Sequence, residues 1–259
     1  MDYRDKVVIV TGGTKGIGEG CVRVFIDAGA RVVFCARRQD EGDKLTAALK
    51  GLGQAFFIKC DVADADEIKA LIEQTVAKYG RIDCLINNAG WHPPHKPIDD
   101  FSIDDFRHLL NLNLVSIFAA CKFALPHLRK TKGNIINMSS LVGTIGQLHA
   151  TTYVASKGGI TAFTKALAID EAAHGVRVNS VSPGNIYTPL WQQAIDNSTD
   201  PAKTRSEGEA AQLLGRMGTI EEAGRLCLFI ASDATFTTGV DHIISGGAEL
   251  GYGAKSRIS

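Results

Sequence analysis

Val7-Val8-Ile9-Val10-Thr11-Gly12-Gly13-Thr14-Lys15-Gly16-Ile17-Gly18 is a β-branched apolar run that breaks into a glycine-spaced turn. Consecutive apolar positions suit a strand covered on both faces. A helical pattern from Glu19 to Ala28 follows, Gly29 ends it, and a second strand pattern runs from Arg31 to Cys35. Strand, glycine turn, helix and strand in that order open a parallel sheet with crossover helices. In the turn, Gly12 can reverse direction without a Cβ penalty, Gly16 lets backbone approach a pyrophosphate, and Gly18 permits close helix-to-strand packing. The unpaired amides at the helix start then face phosphate charge. A glycine-rich turn alone is a weak motif. In this setting it points to a dinucleotide site that includes Gly12, Lys15, Gly16, Ile17 and Gly18.

Further strand patterns run from Ala55 to Cys60, Ile82 to Ile86, Asn134 to Met138, Arg177 to Val181 and Val240 to Ile244, with segments between them long enough to return as helices. The expected fold is α/β, a three-layer Rossmann fold with a doubly wound, mainly parallel seven-stranded sheet. No linker or repeat divides the chain, so 1–259 is expected to form a single Rossmann-fold catalytic domain. Ile68, Leu71, Ile72, Thr75, Val76 and Tyr79 form one helical stripe. Thr219 with Glu222 is a capping box, and Ser102 with Asp105 a weaker version of it. Pro126 is expected to bend or shorten the long helix that begins near Ser102. Thr188 to Leu214 is polar, interrupted by Pro189 and Pro201, and loosely helical; it is expected to lie over the crevice as a substrate lid.

The chain has 28 Lys plus Arg against 28 Asp plus Glu, with 45% hydrophobic residues. That balance gives no field favouring nucleic acid or anionic lipid. The start of the chain lacks a signal- or transit-peptide pattern, and no run of apolar residues reaches the length of a membrane span, so a cytosolic protein without membrane insertion is expected. Six cysteines show no C-x-x-C or metal spacing, and reduced buried thiols are expected. Seven histidines form no ligand cluster, so no metal is expected.

The second strand ends in Ala36-Arg37-Arg38. A site for the dinucleotide without the extra phosphate usually places Asp or Glu here, on the ribose hydroxyls. Ala36 supplies none, whereas Arg37, with Arg38 and Lys15 nearby, would suit a 2′-phosphate. The residues lean toward NADP within a general NAD(P)(H) expectation. Asp61-Val62 and Asn87-Asn88-Ala89-Gly90 each follow a strand, which puts them on the ligand-binding rim of the sheet; Asp61 could accept from the adenine amino group and the turn could line the ribose. At the reacting end, Tyr153 and Lys157 are one helical turn apart and share a face. A lysine ammonium at about 4 Å and an effective dielectric near 20 attracts a phenolate by roughly 4 kcal/mol, before desolvation that opposes it. That direction suits a proton shuttle. Ser140, just past the strand that ends at Met138, would hydrogen-bond a substrate oxygen.

The glycine loop, Asn87-Asn88-Ala89-Gly90, Asn113, Ser140, Tyr153-x-x-x-Lys157 and Pro183-Gly184 together resemble the motif set of the short-chain dehydrogenase/reductase family, in order and over essentially the whole chain. The resemblance implies an oxidoreductase interconverting a secondary alcohol and a ketone, with Tyr153 as acid/base and Ser140 positioning the substrate oxygen. It implies that Lys157 lowers the tyrosine pKa and holds the ribose, that Asn113 holds a relay water, and that Pro183, Gly184, Ile186 and Thr188 contact the nicotinamide end. Gly90-Trp91-His92-Pro93-Pro94, Ser139 to Gly143, Pro183 to Trp191 and Gly246 to Gly253 are similar to a hydroxysteroid-dehydrogenase branch of that family. This implies a hydroxysteroid substrate, such as oestradiol at its 17-hydroxyl, with L-fucose as the alternative. It also implies a homotetramer and a substrate site of His92, Ser140, Gln147, Tyr153, Leu190, Trp191 and Tyr252, the last from a neighbouring subunit. That branch uses NAD with Asp where this chain has Ala36. A dinucleotide-binding regulator without turnover is a further alternative, against which the retention of Ser140, Tyr153 and Lys157 argues.

Overall fold

The computed structural model describes residues 1–250; Tyr252 lies outside them. Seven strands form one sheet in the order β3-β2-β1-β4-β5-β6-β7, and every pair is parallel. They are β1 Val7–Thr11, β2 Arg31–Ala36, β3 Gln54–Lys59, β4 Cys84–Asn87, β5 Asn134–Met138, β6 Arg177–Pro183 and β7 Asp241–Ile244. The helices are α1 Gly16–Asp27, α2 Gln39–Ala48, α3 Ala65–Tyr79, α4 Ile103–Leu110, α5 Ser116–Thr131, α6 Val142–Ile145, α7 Thr151–Ala172, α8 Pro189–Asp196, α9 Pro201–Ala210 and α10 Ile220–Ser232. The order reverses between β1 and β4, which opens the crevice where doubly wound sheets bind ligands.

β1, β4 and β5 are buried at every position, because helices cover both faces. On one face Ile9, Leu85 and Ile135 pack with Leu71, Ala120, Leu128 and Ile160. On the other Val8, Val10, Ile86 and Ile136 pack with Phe25, Cys227 and Ile230. Neighbouring positions along one strand thus serve opposite cores, as the pleat requires.

Three local expectations are revised. Ser102 and Asp105 form a complete capping box at α4; the shorter Asp still reaches the Ser102 amide. Pro126 lies inside α5, which continues to Thr131, so it does not end the helix. Between α4 and α5 the chain makes one π-helical turn, Asn111–Val115, so 103–131 is a continuous helical run. That run is long and apolar enough to cross a bilayer by length and composition. Asn111, Asn113 and Ser116 interrupt its apolar sequence, and its inner side, with Ile117, Ala120, Cys121, Ala124 and Leu128, is buried in the core. Finally, the 188–214 segment contains two defined helices, α8 and α9, each started by a capped Pro: Thr188 caps one and Asp200 the other.

α1 and α10 touch backbone to backbone. A Cβ on Gly20 would lie 2.1 Å from the Ile220 carbonyl oxygen, and one on Gly224 would lie 2.6 Å from that of Gly20. Backbone cannot yield as a side chain can, so Gly20→Ala is expected to push the helices apart and cost about 1–3 kcal/mol. Chemical denaturation of the variant beside wild type measures this.

Candidate active site

The buried Thr11 hydroxyl, at the end of β1, accepts the N–H groups of Asn88 and Ala89, both at 3.0 Å. The Asn88 amide donates back to the carbonyls of Thr11 at 3.0 Å and Gly12 at 3.1 Å. The glycine loop and the Asn-Asn-Ala-Gly turn are therefore braced against each other. A Cβ on Gly18 would fall 2.1 Å from the Gly12 carbonyl oxygen, so α1 starts this close only because that side chain is absent. Lys15 precedes α1 with extended backbone and offers no side-chain cap. The first-turn amides, including those of Gly16, Ile17 and Gly18, are thus without a side-chain acceptor, and an anion fits there.

Around this loop, Asp61 is half-buried and accepts the Ala63 N–H at 3.0 Å, while Val62 is buried beside it. Arg37 and Arg38 are exposed, and Arg38 pairs with Glu41. Pro183 ends β6, and Gly184 donates to Ile244 across the sheet at 2.9 Å. Ile186 is buried and forms a bridge with Gly218. Thr188 borders the phosphate loop: a Cβ on Gly16 would sit 3.5 Å from its methyl carbon.

At the reacting end, β5 and α7 are bound by polar groups in an apolar setting. Lys157 Nζ donates to the Met138 carbonyl at 2.8 Å, and Ser139 Oγ donates to the Lys157 carbonyl at 2.8 Å. Deeper, Asn87 donates to Asn137 at 2.8 Å and Asn137 to Thr164 at 2.9 Å. This brings Ser140, which follows β5, to Tyr153 on α7, where its hydroxyl favours ionisation of the phenol. Asn113 lies in the π-helical turn, fully buried. It accepts from the Trp91 amide at 2.9 Å and donates to the Trp91 carbonyl and Ser156 Oγ, each at 3.0 Å. Its two N–H donors are taken by protein groups, so it clamps the strand-to-helix loop against α7. A water could use only the remaining lone pair of its Oδ1.

The electrostatics differ from the sequence expectation. Burial pushes the Tyr153 phenol up to about 12, opposed by its bond with Ser140. Burial pushes the Lys157 ammonium down to about 8. Nζ lies 5.7 Å from the Tyr153 ring centroid, and in the chain alone desolvation outweighs its pull on the phenol.

The His92 ring lies 4.1 Å from that of Tyr153, centroid to centroid. Its Nδ1 contacts the Pro93 carbonyl at 2.6 Å and its Nε2 meets Gln147 Oε1 at 3.2 Å. A carbonyl can only accept, so Nδ1 donates to Pro93, and in the neutral ring Nε2 then accepts from the Gln147 amide turned to present its NH2. His92, Gln147, Ser140 and Tyr153 therefore share one polar wall. Trp191 packs instead on Gly208 of α9, within the 188–214 segment, and Leu190 is 57% exposed. Thr11, Asn111, Ser139 and Ser156 were not singled out by sequence. Asn111 donates to the Ala63 carbonyl at 3.1 Å, tying the π-helical turn to the Asp61 loop. No group of three or more His, Cys, Asp or Glu that could hold a metal occurs among the described residues.

A family model described as enoyl-(acyl carrier protein) reductase matches residues 12–249. The chain belongs to the short-chain dehydrogenase/reductase family. It is an NAD(P)-dependent oxidoreductase that binds a small-molecule alcohol or ketone. An L-fucose dehydrogenase of Mus musculus is 51% identical over 257 residues, covering 99% of this chain and 93% of the mouse protein. One of Rattus norvegicus is 52% identical, covering 99% and 94%. L-Sorbose reductase from Gluconobacter frateurii, solved with NADPH and L-sorbose, superimposes with a TM-score of 0.91 at 25% identity, covering 96% of this chain and 98% of that one.

These relatives correct the substrate expectation. The segments around Trp91, Leu141 and Trp191 suggest 17-beta-hydroxysteroid dehydrogenase type 14, also described as retinal short-chain dehydrogenase type 3. About half identity over nearly the whole chain instead makes it similar to L-fucose dehydrogenases, which overturns the hydroxysteroid expectation. Short segments at the site's edge record a shared scaffold; they do not by themselves fix what fills it.

Tyr153→Phe removes the phenol hydroxyl and keeps the aromatic ring. It is expected to lower kcat by about 10²–10⁴-fold, while the dissociation constant for the dinucleotide, read by fluorescence titration, changes less than about threefold.

Proposed function

We propose that this enzyme oxidises a hydroxyl-bearing carbon of an L-fucose-like sugar, reversibly, with a nicotinamide dinucleotide. The observation that carries the reading is the polar wall beside the reacting phenol, His92 with Gln147. Several convergent hydrogen-bonding groups suit a polyol, and the L-fucose dehydrogenase relatives agree with it.

Gly12, Lys15 and the first turn of α1 (Gly16, Ile17, Gly18) would hold the pyrophosphate, Arg37, Arg38, Asp61 and Val62 the adenosine half, and Asn88, Ala89, Gly90, Pro183, Gly184, Ile186 and Thr188 the nicotinamide half. When bound, the dinucleotide accepts hydride during oxidation and supplies it during reduction. Ser140 orients the sugar oxygen by hydrogen bonding. Tyr153 takes the hydroxyl proton in oxidation and returns it in reduction. Lys157, fixed by Met138, holds the ribose and places a positive charge under the phenol. Asn113 fixes the Trp91 loop and so the His92 wall. The 188–214 segment closes over the sugar, with Leu190 and Trp191 on its inner approach, and Asn185 anchors it by donating to the Gly208 carbonyl at 2.9 Å.

The proposed assembly is a cytosolic homotetramer, not inserted in a membrane, with 1–259 acting as one catalytic unit. Val115 and Phe118 on the helical run and Phe236, Val240 and Ile243 by the β7 edge are exposed apolar groups on two separate surfaces. Two kinds of contact are what a dihedral tetramer needs. Six free buried cysteines suit a reducing compartment. Light scattering of the purified chain is expected to give four times the chain mass; a monomer would contradict the assembly.

Two kinetic outcomes are expected. With L-fucose and oxidised dinucleotide, absorbance of the reduced dinucleotide rises; absence of turnover despite dinucleotide binding would overturn the sugar reading. A phenol held near 12 is protonated at neutral pH, so it is ready as an acid and scarce as a base. kcat/KM for oxidation is therefore expected to rise with pH, about tenfold per unit where proton removal limits, while reduction stays flat over the same range.

A further inference from the structure

The β2–α2 turn lacks the usual carboxylate at the end of its strand: Ala36 stands there, followed by Arg37 and Arg38. A carboxylate nonetheless reaches the same corner from the first turn of α2, where Glu41 sits. It pairs with the Arg38 guanidinium and accepts a hydrogen bond from Thr14 Oγ1 at 3.4 Å. Thr14 belongs to the phosphate loop, and Arg38 immediately precedes α2. Glu41 thus bridges the loop that takes the pyrophosphate and the turn that takes the adenosine ribose. Its side chain is 24% exposed, against 62% for Arg38, so the carboxylate is the more enclosed partner. Arg37 makes no hydrogen bond or ion pair among the described residues.

We propose that Glu41 is the residue that discriminates between the two dinucleotides, a carboxylate delivered from α2 in place of the one missing from β2. A 2′-phosphate entering between Thr14 and Arg38 meets this charge, and it meets an Arg38 whose donor fork is already engaged. Ribose hydroxyls can donate to the same carboxylate. Counting Arg37 and Arg38 as two phosphate ligands therefore overstates the preference for NADP: only Arg37 is unengaged. The inference concerns dinucleotide binding alone and is independent of the sugar reading.

Isothermal titration of the full chain with NAD+ and with NADP+, without substrate, tests it. In Glu41→Gln the ratio of the NADP+ to the NAD+ dissociation constant is expected to fall about tenfold, or about 1.4 kcal/mol, and the change should shrink at high salt. Glu41→Asp keeps the charge and is expected to stay within about threefold of wild type. A ratio unchanged in Glu41→Gln, or a Glu41→Asp that behaves like Glu41→Gln, would overturn the proposal. The first result would show no role in selection, and the second a role in geometry alone.

Discussion

A lysine ammonium buried between a strand and a helix is the constraint on which this site depends. Lys157 is only 5% exposed, and its Nζ is held by the Met138 carbonyl. Taking a cation out of water is costly unless hydrogen bonds replace the lost hydration. The Met138 carbonyl supplies one such bond, and further polar contacts fix β5 against α7: Ser139 bonds the Lys157 carbonyl, and the Asn87–Asn137–Thr164 chain continues the seam below. A hydrogen-bonded polar seam in a core favours one register over others. Ser140 and Tyr153 sit at the end of that seam, and so they meet.

The same economy holds at the dinucleotide end. Thr11-Gly12 and Asn88-Ala89 share four hydrogen bonds across the switch point, so neither loop needs a ligand to hold its position relative to the other. Asn113 does the equivalent work for the Trp91 loop, from a π-helical turn inside a long helix. Such turns shift the register of the backbone by one residue and often accompany functional sites. Here the turn places a buried amide where an ordinary helix in the same sequence would carry on its apolar stripe.

Much of this was legible in the residues. The strands were plain because β1, β4 and β5 are covered on both faces, which forces unbroken runs such as Val7–Val10, and the order of glycine turn and helix fixed the parallel topology. Local chemistry was less reliable where tertiary packing decides. Pro126 stays within α5, since the core contacts of Ala124, Leu125 and Leu128 outweigh one absent N–H. The π-helical turn has no sequence signature of its own. Tyr153 and Lys157 could be placed on one face by spacing, but spacing does not report desolvation, and burial proved larger than the pull between them. Glu41 carries no mark in the sequence, because its carboxylate reaches the end of β2 from the next helix. Substrate class was the least legible, because it depends on how His92 and Gln147 face Tyr153 across loops distant in sequence.

Direct titration of the Lys157 side chain, by NMR of lysine labelled at its terminal carbon and assigned with Lys157→Met, tests the central claim. The ammonium is expected to lose its proton near pH 8, well below the 10.5 of a freely solvated lysine. A Lys157 that titrates at 10.5 or above would mean that its charge is solvated or ion-paired, and the buried seam beneath Tyr153 would not be the organising feature of the site.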